Sequence, residues 1–216
     1  MTAPGPPSVD VTGIVLAGGR SKRFGSDKLT VELDGRPLLH VAIAMVAAVA
    51  GRLVVVVTPG AEPVLPRALA SRIDVVHDPE AFGGPLVGLA AALGIVGTPT
   101  VLVAGGDMPR MVPAVLRRLS STAGPERAAV TLEVPGRMQP LPMALDVIAA
   151  RAAAAAVLER GGRSLRDLLR ELGAISIPAP AWLALDPSGA TIVDIDRPSD
   201  LESVGPTLGR LGRPGP

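Results

Sequence analysis

Four cationic side chains, Arg20, Lys22, Arg23 and Lys28, fall within nine positions directly after a pair of glycines, Gly18-Gly19. Paired glycines let the backbone approach a ligand closely and turn N–H groups toward anionic oxygens. Donors from Gly18 and Gly19, charge from Arg23 and a longer-reaching ammonium from Lys28 together make a phosphate cradle. The segment lacks the Gly-Lys-Ser/Thr ending of a P-loop and the G-x-G-x-x-G of dinucleotide-binding folds. A solvated basic loop is the plain alternative for the same residues.

Two further segments carry chemistry. "DPEAFGGPLVGLAAAL" opens on Asp78, which can accept hydrogen bonds from a nucleobase or sugar, or can cap a turn ahead of Pro79. In the same stretch Gly84 and Gly88 leave room for a flat ring or a ribose, and Pro85 suits a first helical turn. "VLVAGGDMPRM" carries a lone carboxylate, Asp107, past two glycines. Burying an unpaired carboxylate is costly, and Mg²⁺ shared between Asp107 and nucleotide phosphates offsets that cost. Turn formation ahead of Met108-Pro109 is the alternative. His40 and His77 are far apart and read as helix and strand-end residues; Arg163 and Arg166 suit either an anionic second substrate or an exposed charged face.

These residues need elements to position them. Apolar, β-branched runs at 11–17, 52–58, 72–77 and 100–105 predict strands buried on both faces, as in a parallel sheet. Helical patterns at 37–50, 85–96 and 113–121 alternate with them, giving βαβ units and a doubly wound α/β sheet. Beyond residue 128 the pattern loosens into strand-like "AAVTLEV" and "PLPMAL", helices at 146–159 and 164–172, and a last strand at 190–195. In such sheets ligands bind beyond the carboxyl ends of the strands near the switch in strand order, where Gly18 and Asp107 are expected to meet.

Bulk properties narrow the function. With 216 residues, one domain is expected at 9–204, between Pro/Gly-rich tails at 1–8 and 205–216 that composition marks as disordered. The formal net charge is +1, so no global field recruits nucleic acid or an anionic membrane. The apolar runs are too short to span a bilayer, and the scarcity of aromatics (Phe24, Phe82 and Trp182) removes the stacking platforms of single-strand binders. The absence of cysteine excludes disulfides, thiolate metal sites and a cysteine nucleophile. The N-terminal stretch lacks the pattern of a secretory signal, so a cytoplasmic protein is expected; the sequence leaves the oligomeric state open, a monomer included.

Leu16-Ala17-Gly18-Gly19 with Arg23 and Lys28, then Gly84-Pro85-Leu86-Val87-Gly88, then Gly106-Asp107-Met108-Pro109 resemble the MobA-type nucleotidyltransferase family, which includes the molybdenum cofactor guanylyltransferases. The likeness spans about residues 11–204. It implies a Rossmann-like three-layer α/β sandwich with a mostly parallel sheet, GTP and a molybdopterin as substrates, and Mg²⁺. Carried over, Leu16, Ala17, Gly18 and Lys28 contact GTP, Asp78 lies near the guanine, Asp107 holds the metal, and the segments at 139–145 and 161–169 follow the metal site and flank the pterin.

Two departures bear on the base. The family's guanine-side Asn has no match beyond Thr58, and its late Asn-x-Asn element stands here as Asp194-Ile195-Asp196, the form of the sister cytidylyltransferases. On a strand, Asp194 and Asp196 leave the same face, and Asp196, nearer the carboxyl end, becomes the expected second metal ligand; capping the helix opening at Pro198 is its alternative. The rival functions are a cytidylyltransferase or another cofactor or sugar nucleotidyltransferase of this fold, and a non-catalytic nucleotide-binding regulator.

Overall fold

The structure is a computed structural model that describes residues 5–18, 31–80, 83–135 and 137–195. Its centre is a sheet made of β1 (Ser8–Leu16), β4 (Ala50–Val57), β5 (Ile73–His77), β6 (Thr100–Gly105), β7 (Ala129–Val134), β8 (Arg137–Asp146) and β9 (Ile175–Ile177). A small hairpin of β2 (Glu32–Leu33) and β3 (Arg36–Pro37) stands apart. The seven-stranded order is β5-β4-β1-β6-β8-β7-β9. β1, β4, β5 and β6 pair in parallel, β8 runs antiparallel to both of its neighbours, and β9 is parallel to β7. The expected mostly parallel sheet is therefore present, with one reversed strand.

The helices are α1 (Leu38–Ala47), α2 (Pro85–Ile95), α3 (Pro113–Thr122), α4 (Val147–Glu159), α5 (Leu165–Glu171) and α6 (Ala179–Leu183). Side chains from α1, α3 and α6 share one apolar cluster with Val11 and Val15 of β1. Those from α2, α4 and α5 share another with Ile14. Alternation along β1 thus feeds two cores, one on each face, which makes the three-layer sandwich. Continuous Val, Leu and Ala runs suit this two-sided burial, while β5, at the sheet edge, keeps its outward residues exposed. A methyl at Gly13 would collide with Val46 of α1 and lie 3.0 Å from Leu53 Cδ2, so the bare glycine sets how closely α1 approaches the sheet.

The strand expected at 190–195 is absent. Ala190–Ile192 instead winds into a 3-10 turn led by Gly189 at φ 67°. Asp186, 2% exposed, explains the change: its Oδ2 accepts from Thr191 N at 2.7 Å and its Oδ1 from the Ser188 hydroxyl at 2.6 Å. Local side-chain bonds of this kind outcompete a sheet ladder even where the residues are β-branched. The Thr191 hydroxyl then accepts from Val112 N at 3.0 Å, tying the turn to the entry of α3. β1 opens at Ser8, ahead of the run expected at 11–17, and the Gly5 carbonyl accepts from Arg117 at 2.9 Å.

Burial pushes the Asp186 carboxyl up, but the bonds from Ser188 and Thr191 outweigh it and hold the group below its ordinary range. A depressed folded-state pKa contributes stability above the unfolded value of about 3.9, which is lost as pH falls through the folded one. Asp186→Asn is therefore expected to cost about 1–3 kcal/mol at neutral pH. The gap from the parent should narrow as melts are carried below the ordinary carboxylate pH range. A gap constant through that range would show that the charge is not what Thr191 and Ser188 hold.

Trp182 closes the far corner of the molecule. It lies in α6, 2% exposed, with its indole N–H donating to the Glu133 carbonyl at 2.8 Å, so a short helix carries it onto β7.

Candidate nucleotide site

The chain leaves β1 toward β4 on one side and returns to β6 on the other, so the switch in strand order lies between β1 and β6. At that point Leu16 registers with both Val56 and Gly105. Past the register, Ala17 N–H donates to the Val56 carbonyl at 2.7 Å and Gly106 N–H to the Leu16 carbonyl at 2.9 Å. The ends of β1 and β6 are thereby locked together, and their following residues, Gly18 and Asp107, stand past the carboxyl ends of adjacent strands, where sheets of this kind open a ligand crevice at the switch point.

Each residue there has a physical reason. Ala17 spends its amide on the sheet, so the backbone donors of the cradle begin at Gly18, which is exposed and whose amide has no acceptor among the described residues. A Cβ on Gly18 would meet Thr58 only at 3.7 Å, an ordinary contact, and its φ is not positive. Neither packing nor backbone strain requires glycine at that position. Gly105 is the opposite case: a Cβ there would strike Asp107 Oδ1, so the missing side chain lets the carboxylate fold back over the strand end. The Gly105–Met108 turn closes through Met108 N–H to the Gly105 carbonyl at 3.3 Å, and Ile195 N–H donates to the Asp107 carbonyl at 2.9 Å. Asp107 is half-buried at the crevice, with the chain of the Asp194-Ile195 segment pinned to its backbone.

Asp78 follows β5 on the same edge, its N–H bonded to the Val57 carbonyl at 2.8 Å. Its Oδ1 accepts from Glu80 N at 3.0 Å, so the turn-capping role is real. Its Oδ2 faces Gly88, where an added Cβ would come within 3.2 Å of it and 2.8 Å of Val56 Cγ1. Gly84, expected to admit a ring or ribose, has φ 97°, and a Cβ there would lie 2.7 Å from the Arg163 carbonyl. The close approach it permits is thus that of Arg163, whose carbonyl also accepts from Leu86 N at 3.2 Å and whose guanidinium pairs with Glu80 at 3.3 Å. This contact draws the 161–164 turn, expected to flank the second substrate, onto the start of α2. Sequence reasoning singled out Arg163 but not this role, and a glycine immediately before the α2 proline was the only signal for it.

Gly19, Arg23, Lys28 and Asp196 lie outside the described residues. Loss of the 190–195 strand removes the alternation that put Asp194 and Asp196 on one face, so the case for Asp196 as a second ligand no longer has that support. His40 Nε2–H donates to the Val64 carbonyl at 2.7 Å, a structural role as expected. Among the described residues there is no cluster of three or more His, Cys, Asp or Glu side chains able to cage a metal. Asp107, a half-buried carboxylate at this sheet edge, fits a hard cation held mainly by substrate phosphates and water.

The MobA-like NTP transferase domain family matches residues 13–175. A Chloroflexus aggregans protein named "Probable molybdenum cofactor guanylyltransferase" is 33% identical over 205 residues, covering 92% of this chain and 95% of that one. The molybdenum cofactor guanylyltransferase of Xanthomonas euvesicatoria is 37% identical over 158 residues, 73% of this chain and 75% of its own. Among solved structures, molybdopterin-guanine dinucleotide biosynthesis protein A from Archaeoglobus fulgidus superposes with a TM-score of 0.72 at 23% identity, over 89% of this chain and 95% of that one. The 2-C-methyl-D-erythritol 4-phosphate cytidylyltransferase of Thermus thermophilus follows the same fold with a TM-score of 0.63 at 21% identity, over 88% and 95%. The architecture is therefore common to structures named for different bases, and the fold by itself does not choose between them.

Proposed function

The chain belongs to the MobA-like NTP transferase family, and on that premise we propose that it is a molybdenum cofactor guanylyltransferase, transferring GMP from GTP to molybdopterin. The observation that carries the reading is the meeting of Gly18 and Asp107 at the β1–β6 switch, where an amide donor and a carboxylate flank one crevice. In the reaction a terminal phosphate oxygen of the molybdopterin forms a bond to the α-phosphorus of GTP, the α–β phosphoanhydride bond breaks, and pyrophosphate leaves with the electron pair. No protein nucleophile is needed, because positioning and charge neutralisation suffice for such a transfer.

In this reading Gly18 donates to phosphate oxygens, and Arg23 and Lys28 stabilise the departing pyrophosphate. Asp107 would hold Mg²⁺, which when bound neutralises charge on the reacting phosphates. Asp78, anchored by its own turn, has Oδ2 beside Gly88 of α2 and in this reading accepts from the guanine. The turn at 161–164 brings the acceptor-side segment against that same helix start, so the two substrates share a wall. No helix among the described residues is long and apolar enough to cross a membrane, and we place the enzyme in the cytoplasm, where GTP is made available.

The base choice rests on Ala17-Gly18-Gly19 and Gly83-Gly84-Pro85 against the opposing Asp194-Ile195-Asp196. Binding of GTP, CTP, ATP and UTP in parallel with Mg²⁺, together with pyrophosphate release on adding molybdopterin, tests it. GTP is expected to bind tightest, by about tenfold, the scale of one base-specific hydrogen bond. Tighter CTP binding moves the protein to the cytidylyl branch, and binding without pyrophosphate release makes it a regulator.

A further inference from the structure

The loop that carries Asp107 runs from the end of β6 to Pro113, the first residue of α3. Its own closing bond, from Met108 N–H to the Gly105 carbonyl, is 3.3 Å long, past the usual range for such bonds. Two shorter bonds come from a segment far along the chain. Ile195 N–H donates to the Asp107 carbonyl at 2.9 Å, and Val112 N–H donates to the Thr191 hydroxyl at 3.0 Å. Both reach the backbone of this one loop, near its two ends.

Asp186 shapes the segment that makes these bonds. Its buried carboxylate accepts from the Thr191 amide at 2.7 Å and the Ser188 hydroxyl at 2.6 Å, with no ion pair to it among the described residues. Keeping a carboxylate out of water is costly, so the turn is stable only with those donors in place. Thr191, itself fully buried, then has its amide fixed by Asp186 and its hydroxyl turned to Val112. Ile195 follows four residues on, its side chain buried against Leu38, which leaves it little freedom to shift relative to Asp107.

We propose that Asp186 is a positioning residue for Asp107. Through Thr191 and Ile195 it holds the loop of residues 107–112 at both ends, and so fixes where the Asp107 carboxylate stands past β6. This inference rests on the assignment of Asp107 to the transfer reaction. A group that orients a metal-binding carboxylate acts on metal affinity and turnover without touching substrate, on the order of 10- to 100-fold. Nucleotide binding at the Gly18 amide does not depend on it, because Gly18 leaves β1 behind Ala17, whose own amide is bonded to β4.

Asp186→Ala and Thr191→Val test it on the full chain, with Thr191→Ser as the conservative variant that keeps the hydroxyl and Gly13→Ala as a control destabilised elsewhere. All are compared with the parent well below their melting temperatures. Amide hydrogen exchange over 107–112, GTP affinity with and without Mg²⁺, and kcat for pyrophosphate release are read. Asp186→Ala and Thr191→Val are expected to speed exchange over 107–112 and to lower both kcat and the Mg²⁺-dependent gain in GTP affinity by about tenfold, with Mg²⁺-free affinity unchanged. Thr191→Ser is expected to match the parent in kcat and in that gain. An exchange increase confined to 186–195, with kcat and Mg²⁺ dependence as in Gly13→Ala, makes Asp186 a residue of the fold alone and overturns the proposal. A Thr191→Ser protein as impaired as Thr191→Val overturns the route through the hydroxyl. Should Asp186→Ala fail to fold, the two Thr191 variants carry the same comparison. If the parent neither gains GTP affinity from Mg²⁺ nor releases pyrophosphate, the guanylyl-transfer reading falls, and exchange over 107–112 then decides whether Asp186 holds the loop.

Discussion

An Asp107→Asn protein is expected to melt with the parent and to lose turnover by on the order of 10²- to 10³-fold, the scale for removing one preorganised electrostatic group from a transfer site. The substitution keeps the shape of a half-buried side chain that already lies over Gly105, so packing changes little. It removes the negative charge at the β1–β6 crevice, which is what a phosphate-bridging cation requires. Backbone anchoring through Ile195 N–H to the Asp107 carbonyl survives, because it involves no side-chain atom. Pyrophosphate release with saturating substrates, alongside a thermal melt, is the measurement. Turnover within about tenfold of the parent, the scale of a single ordinary hydrogen bond, would falsify the assignment of Asp107 to the chemistry.

Two alanine substitutions on one strand and its exit should behave in opposite ways. Gly18→Ala adds a methyl that meets only Thr58 at 3.7 Å, so the fold is expected to be unchanged. That methyl stands on the residue whose amide is the first backbone donor of the proposed cradle, and a displaced charge-assisted hydrogen bond costs about 1.5–3 kcal/mol, or on the order of 10- to 100-fold in GTP affinity. Gly13→Ala drives a methyl into Val46 and against Leu53 and Ala50, forcing α1 off the sheet. Overpacking of this sort costs about 1–3 kcal/mol of stability, with GTP affinity at low temperature largely kept. Denaturant melts and GTP titrations on both proteins read the contrast. A Gly18→Ala protein that binds GTP normally would take the cradle away from Gly18, and a Gly13→Ala protein of parental stability would mean that α1 adjusts freely.

What could be read beforehand followed from strong local signals. The runs 53–57 and 101–104 are apolar on every residue, and a doubly covered sheet suits that, so β4 and β6 fell within two residues of expectation. Helix α2 was legible from Pro85, and α5, expected at 164–172, starts where the Ser164 hydroxyl caps Asp167 N at 3.1 Å. Asp107 could be singled out because a strand ending in two glycines leaves a lone carboxylate at the ligand edge. The 190–195 strand was misread because β-propensity cannot register a buried carboxylate four residues upstream that claims the Thr191 amide. The role of Gly84 was hidden for a related reason: its partner, Arg163, lies far along the chain, and sequence spacing carries no record of such a contact. Short β9 and the β2–β3 hairpin have too few residues to show any period.

The corner made by α6 has a use in solution. Trp182 is the chain's sole tryptophan and the chain has no tyrosine, so near-ultraviolet emission comes from one indole held against the Glu133 carbonyl. That fluorophore watches the α6–β7 seam and nothing else. Its emission should stay blue while nucleotide fills the opposite half of the sheet, and should shift red only when the segment after β9 peels away. Comparing its transition with far-ultraviolet dichroism therefore separates detachment of the C-terminal wrap from collapse of the parallel core, with no label to introduce.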